Sequence, residues 1–171
     1  TSFQCSFEDN EDWNGPPMWD AVGDVTISGT GEAADGDKYA SVAPGGSLFK
    51  HINNCATFWV RASFRILSVP ALDRQLLLVA DTQLTATLFS LTYEGASHCI
   101  VCSLTGQAWP RTGKWQTVEY LVDVIGARAY AWFDGTYMGT NTIPDATELP
   151  LILGIGLDEA AVAFHVDAVK I

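Results

Sequence analysis

The sequence predicts an all-β protein, an antiparallel β-sandwich of jelly-roll type, and three observations point there. Helical periodicity is nearly absent. Strand-like runs follow one another, separated by Gly, Pro, Asn and Asp clusters such as "NGPP", "ADGD" and "APGG". Within several runs, apolar and polar residues alternate with period two, the mark of a strand that buries one face. The 171 residues suit one domain with a sizeable core. No repeat or low-complexity linker divides them, so residues 1–171 are expected to form a single sandwich domain.

The first run, "TSFQCSF", sets Phe3, Cys5 and Phe7 on one face and Ser2, Gln4 and Ser6 on the other. It leads straight into Glu8, Asp9, Glu11 and Asp12. Residues 14–37 are the least regular and read mainly as long surface loops around "DVTISG". "KYASVA" and "SLFKHI", on either side of "APGG", read as two strands. In "TFWVRASFRI", Phe58, Val60, Ala62, Phe64 and Ile66 form the apolar set, against Thr57, Trp59, Arg61, Ser63 and Arg65. "QLLLVAD", "TATLFSLTYEG" and "HCIVCSL" continue the series. "QTVEYLV" opposes Val118, Tyr120 and Val122 to Thr117, Glu119 and Leu121, and "RAYAWFD" opposes Ala129, Ala131 and Phe133 to Arg128, Tyr130 and Trp132. Asp134-Gly135 then signals a tight hairpin into "YMGTNT". After "LPLILGIG", the last run sets Val162, Phe164 and Val166 against Ala163, His165 and Asp167. Lys170, three residues beyond Asp167, falls on the opposite face by the same alternation.

Composition excludes some functions. A formal charge of −11 offers no basic stripe for phosphates, so nucleic acid is not an expected partner. No apolar run is long enough for a membrane span, and no secretory signal is present. With a start at Thr1 rather than Met, a mature or excised domain is expected. The cysteines stand at 5, 55, 99 and 102. "CIVC" invites a metal or redox reading, but on a strand residues three apart point to opposite faces, so buried thiols or one disulfide are expected instead.

Sugars present apolar C–H faces and hydroxyl rims, so their sites stack an aromatic ring and surround it with polar groups. Trp59, Arg61, Arg128, Tyr130 and Trp132 have that chemistry, provided their strands share one sheet face. Trp13, Trp19, Tyr93 and Trp109 would rim such a site from loops, although each aromatic is equally suited to packing. Catalysis finds less support. Glycoside hydrolysis needs two carboxylates across the scissile bond. The Glu-x-Asp-x-x-Glu run of strand-borne glucanase acids is absent, and His51, His98 and His165 lack a nucleophile context.

The run "GKWQTVEYLVDVIGARAYAWFDGTYMGT" resembles the late strands of concanavalin A-like and laminin G-like jelly rolls. The ends, "CSFED" and "FHVDAV", resemble those of MAM domains and jelly-roll carbohydrate-binding modules, although MAM domains place a second cysteine where this chain has "DNEDW". The resemblance implies that the first and last strands pair. It also implies a structural calcium site on Glu8 and Asp167, with Asp9, Asp35 or Asp37 as additions. The expected function is non-catalytic glycan recognition or surface attachment in a larger extracellular or virion-associated assembly. A purely structural decoration module is the alternative, and a polysaccharide-degrading enzyme a more distant one.

Overall fold

Period-two patterning carries through into strands, while the Gly, Pro and Asp clusters become the turns between them. The computed structural model describes residues 3–8, 18–29, 32–52, 55–158 and 160–171. The strands are β1 (Gln4–Cys5), β2 (Ala21–Ser28), β3 (Tyr39–Ile52), β4 (Thr57–Arg65), β5 (Arg74–Asp81), β6 (Thr87–Glu94) and β7 (Cys99–Cys102). There follow β8 (Ala108–Pro110), β9 (Gln116–Asp123), β10 (Arg128–Phe133), β11 (Thr136–Thr142), β12 (Leu151–Ile155) and β13 (Phe164–Lys170). No helix occurs among the described residues.

The hydrogen-bonded order is β11-β10-β9-β4-β13-β3-β12-β5-β6-β7-β8, with β1 added on β13 and β2 on β3. All pairs are antiparallel. "KYASVA" and "SLFKHI" turn out to be one strand. Residues 40–42 of β3 pair with β13 and residues 48–52 with β12. The intervening "APGG", with Gly45 at φ 78°, breaks the register and lets the strand pass from one layer to the other. β2 occupies residues 21–28 inside the stretch expected to be mostly loop.

The two layers meet through aromatic rings. Phe89 of β6 stacks on Tyr120 of β9 at 4.2 Å, and Trp109 of β8 stacks on Phe133 of β10 at 4.2 Å. Tyr120 is fully buried, and its hydroxyl lies 3.4 Å from the Cys102 thiol; burial first, then that thiol, push the phenol well above its ordinary pKa. Phe58, Val60, Phe64, Val118, Tyr120, Val122, Val162, Phe164 and Val166 are all buried, so the alternation assigned the core faces correctly. The chain has a β-sandwich fold of jelly-roll kind. "CIVC" forms β7, with Cys102 buried and Cys99 half-buried, and none of the four cysteines is in a disulfide. At the hairpin, Asp134 and Gly135 have φ of 46° and 79°, positive at both central positions as a type I′ turn requires.

β1 and β13 lie side by side, pairing Gln4 with Lys170 and Cys5 with Val169. Beyond the strand, Phe3 and Ile171 exchange backbone hydrogen bonds of 3.0 and 2.9 Å. One expectation fails here. On β13, Asp167 pairs with Ser63 of β4 and Lys170 with Arg61, with a register shift between them and Ala168 at φ 51°. Ser63 and Arg61 point the same way, so the bulge returns Lys170 to the face of Asp167. A single irregular residue inverts everything after it.

Candidate functional site

The outward face of β4, β9, β10 and β11 is a lattice of rows, because directly paired residues on adjacent antiparallel strands point the same way. One row runs Thr57, Asp123, Arg128 and Thr142. The next runs Trp59, Leu121, Tyr130 and Thr140, and the third Arg61, Glu119, Trp132 and Tyr137. The sheet therefore brings all five sequence-selected residues, Trp59, Arg61, Arg128, Tyr130 and Trp132, to one surface. Trp59 and Trp132 lie 5.3 Å apart by ring centroid, and Trp132 and Tyr137 lie 5.4 Å apart. Trp59 is 50% exposed and Tyr137 is 52% exposed, an unusual display for large rings.

Polar groups flank this aromatic cluster. Arg61 Nε meets Glu119 Oε1 at 3.3 Å, and Arg128 donates to the Thr140 hydroxyl at 3.4 Å. Trp59, Arg61 and Glu119 also line a cleft of about 900 Å³, shared with Asp20, Lys50, His51 and Lys170. His51 Nδ1 is 3.0 Å from Asp20 Oδ2, and the His51 amide donates to the same oxygen at 2.6 Å. Burial works to raise the Asp20 carboxyl, but those His51 contacts, with Lys50 nearby, hold it below the usual carboxylate range. Arg61 and Lys170 also line a second hollow of about 510 Å³, which reaches Ser63, Thr117, Trp115 and Asp35.

Other aromatics proposed as a rim do not reach this surface. Trp19 is fully buried against Phe3 and Phe7, and Tyr93 is a core residue whose hydroxyl donates to the Pro70 carbonyl at 2.7 Å. Trp109 is taken up in its stack on Phe133. Trp13 and Asp9 lie outside the described residues. Sequence reasoning missed Tyr137, which the hairpin folds back beside Trp132, and passed over Glu119. It also put Lys170 on the wrong face, for which alternation held no clue.

Glu8 and Asp167 hold the two ends of one loop. Asp167 Oδ2 accepts the amides of Ala34 and Asp35 at 2.8 and 2.9 Å, and Oδ1 accepts that of Ala168 at 2.7 Å. Glu8 Oε1 accepts the amides of Asp37 and Lys38 at 2.8 and 2.9 Å. Further back, the Trp115 indole donates to the Glu32 carbonyl at 2.6 Å, and Arg65, between the rings of Tyr39 and Trp115, reaches the Glu32 carboxylate at 3.4 Å. Asp167 is thus outward on its strand, as alternation implies, yet wholly buried beneath the loop. Burial pushes its pKa up to about 6 despite the three amide donors, and Asp35 raises it further. Among the described residues, no three His, Cys, Asp or Glu side chains gather as a metal cluster.

No family model matches the chain, and no characterised protein matches it in sequence. Its fold is nevertheless shared. A Trypanosoma rangeli sialidase in complex with the inhibitor DANA superposes with a TM-score of 0.63 at 14% identity, over 88% of this chain and 27% of the sialidase. The cellulose-induced protein Cip1 superposes with a TM-score of 0.60 at 13% identity, over 98% of this chain and 96% of Cip1. A carbohydrate esterase from the Shiga toxin-encoding bacteriophage phi24B gives 0.59 at 12% identity, over 86% and 89% of the two chains. The chain spans only about a quarter of the trypanosomal sialidase and 16% of another sialidase. At such identities the likeness extends to the β-sandwich fold, which the chain shares with domains of carbohydrate-active proteins.

Proposed function

We propose that the chain is a non-catalytic glycan-recognition module of the concanavalin A-like sandwich type, working in an extracellular or virion-surface assembly. The observation that carries this reading is the cluster of Trp59, Trp132 and Tyr137, ring beside ring on an outward sheet face, with two of the three half exposed. A ring displayed in this way contributes nothing to the core but offers a flat apolar surface to a sugar, with Arg61, Glu119 and Arg128 around it. The two carboxylates that line the larger cleft, Asp20 and Glu119, are already tied to His51 and Arg61, an arrangement suited to holding a ligand. A glycan array followed by calorimetry on the retained sugars tests the reading. Trp59→Ala and Trp132→Ala are each expected to weaken binding about tenfold, or ~1.4 kcal/mol. Hydrolysis, elimination or deacylation of the bound sugar would replace it with an enzymatic one. The alternative, a structural decoration module, draws on Leu67, Val69 and Leu72, all more than half exposed in the segment between β4 and β5. It gains ground if the array is blank.

A structural calcium ion at the chain ends is part of the same proposal. Asp167 is a buried carboxylate with no cationic side chain paired to it among the described residues, and three amide donors leave some of its lone pairs unused. Calcium takes six to eight oxygens, carbonyls included, so Asp167 and Glu8 would hold it with main-chain oxygens of the loop they clasp. A calcium-dependent rise in melting temperature, lost in Asp167→Ala, is the expected result.

A further inference from the structure

We propose that the sugar recognised beside Trp59 carries a carboxylate, and that Arg61 and Lys170 receive it. This rests on the glycan reading and names the class of ligand for that site.

In a chain of net charge −11, two cations stand directly opposite one another across the β4–β13 ladder, Arg61 and Lys170. Like charges in directly paired positions destabilise a sheet. The bulge at Ala168 creates this neighbourhood, since unbroken alternation would turn Lys170 to the other face. No ion pair among the described residues includes Lys170. Glu119 offsets the Arg61 charge, so Lys170 is the cation left without an ion pair among the described residues, at a spot that opens into both hollows.

Arg61 is prepared for an anion in a particular way. Its Nε forms an ion pair with Glu119 at 3.3 Å, while among the described residues its two terminal amino groups make no hydrogen bond, and the side chain is half exposed. A guanidinium with its outer fork unoccupied can receive a planar carboxylate by two parallel hydrogen bonds. Trp59, two residues along the same face of β4, lies ready to stack the ring that bears the carboxylate. Of the acids in the larger cleft, Asp20 is hydrogen-bonded by the His51 amide and Glu119 is paired with Arg61 itself, and Lys50 adds a further cation to the lining. Asp35 lines only the smaller hollow, which places the anion on the Trp59 side of Arg61.

The test is an array of uronate- and sialate-bearing oligosaccharides printed beside their carboxyl-reduced counterparts and sulfated analogues, with calorimetry at fixed ionic strength on each retained pair. The expected result is at least tenfold tighter binding of the acid than of its reduced partner. Arg61→Gln and Lys170→Gln should each erase most of that difference without lowering the unfolding temperature. Arg61→Lys should recover only part of it, since a point charge cannot form the fork. Equal binding of acid and reduced partner, or preference for a sulfated analogue alone, overturns the carboxylate inference and leaves glycan recognition intact. Retention of no sugar overturns both.

Discussion

Lys170 lies directly across the ladder from Arg61, three residues after Asp167 and on the same face. A bulge whose inner residue, Ala168, sits at φ 51° makes this possible. Left-handed backbone costs a non-glycine residue about 1–2 kcal/mol, so the arrangement is held against local preference. It sets the cationic spot at the β4–β13 edge of the candidate site, where the strand that carries Asp167 finishes at Lys170.

Stability should depend on pH through Asp167. A carboxyl raised from the ordinary 3.8 to about 6 in the folded chain means that the native state binds the proton more tightly. Its contribution is therefore fully present below pH 4 and lost as pH climbs through 6. In chelator, unfolding free energy is expected to fall between pH 4.5 and 7 by an amount on the order of 2 kcal/mol. With excess calcium the slope should reverse, because the ion binds only the ionised carboxylate. Urea titrations at several pH values, with and without calcium, check both signs.

The loop clasp makes a second prediction. Glu8→Ala leaves the amides of Asp37 and Lys38 without their acceptor and is expected to cost about 1–2 kcal/mol. Gly36→Ala should cost as much by another route. Its φ is +73°, and an added methyl would meet the Glu8 carboxylate. Amide hydrogen exchange at residues 34–38 should quicken in both variants while β9 and β10 stay protected.

Tyr120 separates core from surface. Tyr120→Ala removes the ring stacked on Phe89 and should cost about 3–5 kcal/mol. Tyr120→Phe gives up only the contact with the Cys102 thiol and should stay within about 1 kcal/mol. Trp59→Ala, at an exposed position, is expected to change stability by no more than about 0.5 kcal/mol. Thermal and chemical unfolding of the three variants ranks them directly.

At the β10–β11 turn, Gly135 has φ +79° and open space where a side chain would stand, so Gly135→Ala isolates the backbone cost. A loss of about 1–2 kcal/mol is expected. Because Tyr137 stands two residues after Gly135, binding of any sugar at Trp132 should weaken with it. Calorimetry on a folded Gly135→Ala variant reads that coupling.

The fold class, the core faces of β4, β9 and β10, the Asp134-Gly135 hairpin and the side of its own strand on which each of Trp59, Arg61, Arg128, Tyr130 and Trp132 lies were all legible in the amino-acid sequence. Each follows from a local rule: alternation decides a face within one strand, and a positive-φ dipeptide marks a turn. The joining of β1 to β13 came instead from the resemblance carried by the two chain ends. Tertiary structure decided the rest. Only strand order set Trp132 beside Trp59 and brought Glu119 to Arg61. A bulge, which periodicity does not announce, carried Lys170 across the sheet plane. Asp167 reads as an exposed strand residue until the loop at residues 32–38, distant in sequence, closes over it. Trp19 and Tyr93 read as possible rim residues until packing takes them into the core. Side-chain direction is a property of the nearest few peptide bonds, whereas burial, charge neighbours and pKa depend on what the rest of the chain brings alongside.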